Sequence, residues 1–388
     1  MNPSPPSAAR GQPSRALIGR DLKLAAPGRA AVDALTVNDA DGPQRPGRSQ
    51  LEAAAAAGLD GVLFRTLFEL SPKLDVAELS EIRQVADELG LYLELGVGKV
   101  NPYMTAELPE VRDLGDGDYV AGMRRMISVA AAIGCHELWT ATGFQKPQYD
   151  NVFAVDRFRT DVTWSEQLRA IRLLLVQLTP ILRDHGSHLN LETHEEITTF
   201  ELVRLIEELG TDVLGVTFDP ANVIAQGEHP LRAAARVAPY VRQTHLRDVA
   251  MFRHGSDLVR YLAPCGEGVI DWRELLRTLR SENPDLRLTI EGTGPHRGRL
   301  PVPLSDPRWR SGHDDLDTRE LQATIGLADA YAPRAAVGAA GLEDFQAGAF
   351  ADIDDFIGRC VSHLRLIVAH DSDSCWSGAT GLAGSLSD

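Results

Sequence analysis

The sequence has little cysteine and no long apolar run. Cys135, Cys265, Cys360 and Cys375 are scattered over 388 residues with no Cys-x-x-Cys pair, which argues against a disulfide framework and a zinc ribbon. No stretch reaches the roughly 18 consecutive apolar residues that a membrane-crossing helix needs, so no membrane partner is expected. The Pro/Ser-rich start, residues 1–13, lacks the apolar core of a secretory signal. These features predict a reduced, cytoplasmic protein. Positive charge is short as well: 39 Lys plus Arg face 55 Asp plus Glu, a formal net charge of −16. That balance argues against a nucleic-acid partner, because duplex binding needs cations to displace phosphate counterions. No Gly-x-Gly-x-x-Gly follows the first strand, which weakens a dinucleotide-binding reading. A Walker loop is missing too, so a phosphorylated substrate is not implied.

What is present is ordinary for a globular chain, 44% hydrophobic and 24% charged. The length allows two or three domains, or one α/β barrel of about 250 residues with insertions. Short apolar runs alternate with helical patterns. Strands are expected at 17–24, 61–66, 91–95, 137–141, 188–192, 213–219, 241–245 and 286–291, and helices near 49–57, 76–89, 118–133, 165–184, 199–209, 230–238 and 272–282. Thr163-x-x-Glu166 and Thr198-x-x-Glu201 fit the capping box, and Asp75 and Asp271 are cap candidates. Gly90, Gly134, Gly186 and Gly210 mark helix ends. Eight strands alternating with helices predict an α/β fold, a single closed (β/α)8 TIM barrel over residues 15–370. Residues 28–48 and 247–270 read as long loops. Residues 292–345 read as an insertion after strand 8, opening on a Pro/Arg-rich loop to 312 and including a helix near 317–331. Residues 351–369 read as the delayed eighth helix, and 1–14 and 371–388 as disordered ends. The insertion is expected to cover the barrel mouth or meet a partner subunit or second copy, or to be a surface elaboration.

Four late strands each end in a metal-ligand type: Glu192 in LNLETH, Asp219 in VTFDPAN, His245 in VRQTHLRD and Glu291 in LRLTIEG, spaced by 27, 26 and 46 residues. In a parallel barrel all strand C-termini emerge on one face, so these side chains converge. Strand parity agrees. Two residues before each lie polar Asn190, Thr217, Gln243 and Thr289, while Leu191, Phe218, Thr244 and Ile290 intervene. Two Glu, one Asp and one His suit a hard or borderline dication, Mn²⁺ or Mg²⁺ first, with Co²⁺ or Zn²⁺ as alternatives. Such an ion can polarise a carbonyl and stabilise an enediolate. Each residue alone also has a plain reading: a strand-end Glu in a salt bridge, a hydrogen-bonded core His, an Asp that caps a turn. Arg247 is a candidate substrate contact or a salt-bridge partner of Asp248 or Glu267. Trp139 and Phe144 are candidates to stack on a sugar face, and Arg65, Lys99, Asn101 and Asn222 to line the pocket. His254, His296 and His313 are expected to be solvated loop residues.

Leu191-Glu192-Thr193-His194, Phe218-Asp219-Pro220-Ala221-Asn222, Thr244-His245-Leu246-Arg247-Asp248, Gly266-Glu267-Gly268-Val269-Ile270-Asp271-Trp272 and Ile290-Glu291-Gly292 resemble the xylose-isomerase-like TIM barrels, the sugar-phosphate isomerase/epimerase superfamily. The resemblance covers roughly residues 15–292 and is stronger in the second half. It implies that Glu192, Asp219, His245 and Glu291 bind the metal. By likeness to the ketose epimerases, Glu192 and Glu291 would transfer protons. By likeness to the dehydroshikimate dehydratase-like members, His194 would act as base. Relatives also include inosose dehydratases and lyases that cleave 3-keto C-glycosides. The chain departs from the ketose epimerases in two places. Asn222 stands where they carry His, and Met251 where they carry Arg. The DNA-repair endonucleases of this fold need more strand-end histidines than His194 and His245.

The sequence thus predicts a metal-dependent isomerase or epimerase that abstracts a proton beside the carbonyl of a keto sugar through a metal-held enediolate. A lyase or dehydratase eliminating a β-substituent from a keto sugar, keto-glycoside or keto-cyclitol shares the first step and stays open. So does a non-catalytic sugar-binding or scaffold subunit.

Overall fold

The computed structural model describes residues 35–39, 47–104, 108–143, 154–292 and 298–377. Eight parallel strands form the central sheet: β1 (Leu35–Asp39), β2 (Gly61–Phe64), β3 (Tyr92–Gly96), β4 (Glu137–Thr140), β5 (His188–Glu192), β6 (Leu214–Phe218), β7 (Val241–Thr244) and β10 (Leu288–Gly292). They neighbour one another in chain order, with β1 also beside β10. The ring closes where Leu246, just past β7, bridges Ile290. The Leu246 amide donates to Thr289 at 2.7 Å and the Glu291 amide to Leu246 at 3.3 Å. The expected (β/α)8 barrel is therefore present.

The helices are α1 (Gly47–Ala56), α2 (Val76–Leu89), α3 (Pro109–Leu114), α4 (Tyr119–Ala132), α5 (Trp164–His185), α6 (Thr199–Leu209), α7 (Pro220–Ala225), α8 (Pro230–Val237), α9 (Trp272–Glu282), α10 (Pro307–Ser311), α11 (Thr318–Ala336), α12 (Leu342–Gln346) and α13 (Ile353–Ser377). Both expected capping boxes form, at Thr163 with Glu166 and at Thr198 with Glu201. Such reciprocal caps satisfy amides that a helix start leaves orphaned. Apolar strand residues such as Leu191, Val216 and Phe218 belong to one core cluster with helix residues such as Leu202 and Leu205. In the later strands the alternate residues point inward and carry polar groups. Asn190 Nδ2 and Thr217 Oγ1 each donate to Gln243 Oε1 at 3.2 Å, and Thr289 Oγ1 donates to Glu94. This is the parity expected from the sequence, and it aims the next inward position of each strand at the barrel mouth.

Several expectations are corrected. The first strand is Leu35–Asp39, inside the segment read as a loop; the run 17–24 lies outside the described residues. Leu35–Asp39 pairs with β10 along its whole length and with β2, which gives a short run flanked by turn formers its strand partners. Residues 247–270 are not a loop. They hold the hairpin β8 (Asp248–His254) and β9 (Asp257–Ala263), joined by β11 (Arg299–Val302) in an antiparallel sheet of order β11-β9-β8. The expected Pro/Arg-rich loop supplies both β11 and α10. One face of this small sheet, with Val249, Met251, Leu258 and Leu262, packs on Ala221 and Ile224 of α7 and on Trp309. The other face, with Ala250, Val259 and Tyr261, packs on Tyr331 and Phe345. Since α7 follows β6, the sheet sits over the C-terminal ends of the strands. Finally, His313 is buried, not solvated: Nδ1 meets the Trp309 carbonyl at 2.7 Å and Nε2 meets Gln226 Oε1 at 2.6 Å. The final helix runs to Ser377, past the expected start of the tail at 371.

Candidate active site

Glu192 ends β5, and Glu291 lies in β10, one residue before its end. His245 follows β7 directly, its amide held by the Phe218 carbonyl at 2.9 Å. These three are buried, and one ligand atom of each lies within 4.8 Å of the others. His245 Nδ1 is 3.2 Å from Glu192 Oε1 and 3.8 Å from Glu291 Oε2. Two carboxylates and an imidazole nitrogen converging at this range fit a hard or borderline dication. The buried His245 Nε2 makes no hydrogen bond to any described residue.

Asp219 stands beside this group and is joined to it through Arg247. Its Oδ1 accepts from the amides of Ala221 and Asn222 at 2.7 and 3.1 Å, capping α7. Its Oδ2 accepts from Arg247 Nε and Nη2 at 2.9 and 2.6 Å. Arg247 Nη2 also lies 2.9 Å from Glu291 Oε2. Neither Asp248 nor Glu267 is the partner of Arg247. Burial works against its charge, but Asp219 and Glu291 outweigh it and hold the guanidinium firmly protonated.

The other predicted residues separate into two groups. Trp139 Nε1 donates to Glu192 Oε2 at 3.0 Å, Asn222 Nδ2 to Glu192 Oε1 at 3.4 Å and Arg65 Nη2 to Glu291 Oε1 at 3.5 Å. Lys99 Nζ lies 3.5 Å above the Trp139 ring, a cation–π contact. Desolvation pushes the Lys99 ammonium down to about 8, against the pull of Glu192. Asn101 is not brought to the carboxylates: Nδ2 donates to Gln167 Oε1 at 2.9 Å and Oδ1 accepts from the Tyr103 amide at 3.0 Å. Phe144 and His296 lie outside the described residues.

Burial opposes the charge on Glu192, yet His245, His194 and Lys99 together hold its carboxyl below the ordinary carboxylate range. His194 Nδ1 pairs with buried Glu196, whose other oxygen accepts from Thr142 Oγ1 at 2.7 Å. Burial lowers the His194 pKa, but Glu196 outweighs it and pushes it up to about 10.

Sequence reasoning missed Glu196, Glu195 and Arg260. The two glutamates directly follow Thr193-His194 and were legible as an acid pair. Arg260 was legible only by parity, as a charge between Leu258 and Leu262 in an alternating run. It is fully buried, and its Nη2 pairs with Glu195 and lies 3.4 Å from Asn222 Oδ1.

A family model described as xylose isomerase-like TIM barrel matches residues 51–314. The 3-oxo-isoapionate decarboxylase of Pectobacterium atrosepticum is 26% identical over 246 residues, covering 63% of this chain and 76% of that protein. A xylose isomerase-like TIM barrel protein from Mycobacterium smegmatis, solved in complex with magnesium, superposes with a TM-score of 0.51 at 16% identity, over 75% of this chain and 91% of that one. D-psicose 3-epimerase from Clostridium cellulolyticum H10, solved with D-tagatose, gives 0.51 at 14% identity, over 77% and 99%. The structural likenesses are likenesses of fold.

Proposed function

This chain belongs to the xylose isomerase-like TIM barrel family, and from that premise we propose that it is a divalent-metal-dependent enzyme acting beside the carbonyl of a keto sugar, of isomerase or epimerase type. The observation that carries this reading is the convergence of the Glu192 and Glu291 carboxylates on His245 in a buried mouth. Glu192, His245 and Glu291 would hold the dication, Mn²⁺ or Mg²⁺ before Co²⁺ or Zn²⁺, with Asp219 joining if Arg247 releases it. Bound there, the cation supplies Lewis-acid stabilisation of developing negative charge on substrate oxygens.

The chain's own residues do the rest. One of Glu192 and Glu291 takes the proton on the carbon next to the carbonyl, and the other returns a proton to a neighbouring carbon or to the opposite face. Trp139 and Asn222 fix the Glu192 carboxylate through its two oxygens. Arg65, Arg247 and Lys99 offer donors to substrate hydroxyl and carbonyl oxygens. Glu196 fixes the His194 ring through Nδ1, so any proton exchange with substrate passes through Nε2.

The relative from Pectobacterium supports a second reading, in which the enediolate forms by loss of carbon dioxide or decays by elimination. Both readings use the same carboxylates. They separate when the protein, loaded with Mn²⁺, is incubated in D₂O with a panel of keto sugars, keto-glycosides and 3-oxo sugar acids and followed by mass spectrometry. Deuterium incorporation without loss of mass units is isomerisation. Loss of water, an aglycone or carbon dioxide is the second reading. Retained turnover in both Glu192→Gln and Glu291→Gln sinks the assignment of the site.

A further inference from the structure

Arg260 sits at the centre of the small sheet, opposite Met251 of β8 on one side and Leu300 of β11 on the other. Opposed strand residues place their side chains on one face. That face is otherwise apolar in its middle, with Leu258 and Leu262 flanking Arg260 on its own strand and all of them packed toward α7. Arg260 is fully buried, yet only one of its three nitrogens has partners. Nη2 meets Glu195 and Asn222, while Nε and Nη1 donate to no described residue. Unmet donors on a buried guanidinium are costly, and an apolar side chain of similar volume would anchor the sheet without that cost. A purely structural role therefore accounts poorly for this arginine.

The neighbours say what would meet these donors. Asn222 Oδ1 accepts from both Arg247 Nη2, at 3.3 Å, and Arg260 Nη2, so two guanidiniums stand side by side. Arg247 is matched by two carboxylates, Asp219 and Glu291, whereas Arg260 has Glu195 alone. Asn222 also touches Glu192, so the unmet donors lie one side chain away from a proton-transfer carboxylate. That separation suits a small anionic group at one end of a short substrate. A phosphate is less well served, because the first amides of α7 are already taken by Asp219.

We propose that Arg260, with Arg247 and Asn222 beside it, is the receptor for a substrate carboxylate, so that the substrate is an acidic keto sugar and Arg260 sets the specificity. The proposal rests on the reading of the site as one for keto sugars. In it, the carboxylate accepts a hydrogen bond from Arg260 Nη1, replacing water it loses on entering the mouth.

The test uses the full chain and non-reacting probes, five- and six-carbon aldonates and the alditols of the same configuration, with binding read by calorimetry. Wild-type protein should bind the best aldonate about tenfold or more tighter than its alditol. Arg260→Gln should erase that preference while leaving alditol affinity within about twofold, and Arg260→Lys should restore part of it. Equal affinity of the wild type for both series overturns the proposal without any variant. So does an unchanged aldonate preference in a folded Arg260→Gln or Arg260→Met protein. The deuterium experiment keeps the two readings apart. Exchange into acidic keto sugars at equal rates in wild type and Arg260→Gln refutes the receptor and leaves the keto-sugar chemistry standing. An Arg260-dependent aldonate preference with no exchange or turnover on any keto sugar supports the receptor and refutes the chemistry.

Discussion

Arg247 grips Asp219 at a single carboxylate oxygen, with Nε at 2.9 Å and Nη2 at 2.6 Å. The guanidinium thereby stands between Asp219 and Glu291, a cation beside the proposed ligand group. A dication seated on Glu192, His245 and Glu291, as proposed, would compete with it for Asp219. Arg247→Met should therefore tighten Mn²⁺ binding by about tenfold, roughly 1.4 kcal/mol, measured from the electron paramagnetic resonance signal of free Mn²⁺. Weaker binding in the variant would show that Arg247 builds the metal site instead of contesting it.

Asp248 ties the sheet over the mouth to the barrel. Its carboxylate accepts from the amides of Val249, Gly266 and Ile270 at 2.8, 3.0 and 3.1 Å and from Trp272 Nε1 at 2.7 Å. Gly266 has φ +87, and a Cβ on Gly268 would collide with the Asp248 carboxylate and the Val249 carbonyl. This gives the Gly-x-Gly run a physical purpose: it lets the backbone close around one buried acid. Asp248→Ala leaves four donors unmet and should lower stability in urea by about 3–5 kcal/mol. Gly268→Ala should be comparably damaging. The double variant should fall short of the sum, because both changes break the same network; additive losses would refute that coupling.

Glu228 offers a pH test away from the site. Burial pushes its carboxyl up to about 7, although Thr199 and Arg236 draw it down. The folded chain therefore holds a proton that the unfolded chain has released. The contribution is fully present below about pH 4.5 and is lost as pH rises through 7, worth up to about 3 kcal/mol across that window. Glu228→Gln should flatten the fall in melting stability between pH 5 and 8. A slope identical to wild type would show that Glu228 does not titrate there.

The barrel and its carboxylates were legible for physical reasons that the rest of the site did not share. Seven strands stood out as apolar runs bounded by helix caps and glycines, and Glu192, Asp219, His245 and Glu291 each ended one of them. Leu35–Asp39 did not stand out, because a five-residue run among prolines and aspartates acquires strand character only from its partners β10 and β2. The hairpin hid for a related reason. Its polar residues, Arg253, His254 and Asp257, cluster at the turn and imitate a loop. Asn101 shows the reverse failure, since proximity in sequence to the end of β3 suggested the pocket, whereas Gln167 on α5 claims its side chain. Arg260 could not be foreseen from any strand end of the barrel. It enters from the sheet above, opposite Met251, which stands where the ketose epimerases carry an arginine.

The antiparallel sheet over the barrel has an evolutionary corollary. The residues proposed to move protons lie on barrel strands, while the proposed selector, Arg260, lies on a segment inserted between β7 and α9. The two tasks are therefore inherited on different pieces of polypeptide. On that proposal, mutations confined to the hairpin would retune which molecule is admitted without displacing Glu192 or Glu291, and a lineage carrying this barrel would be free to change diet while conserving its chemistry.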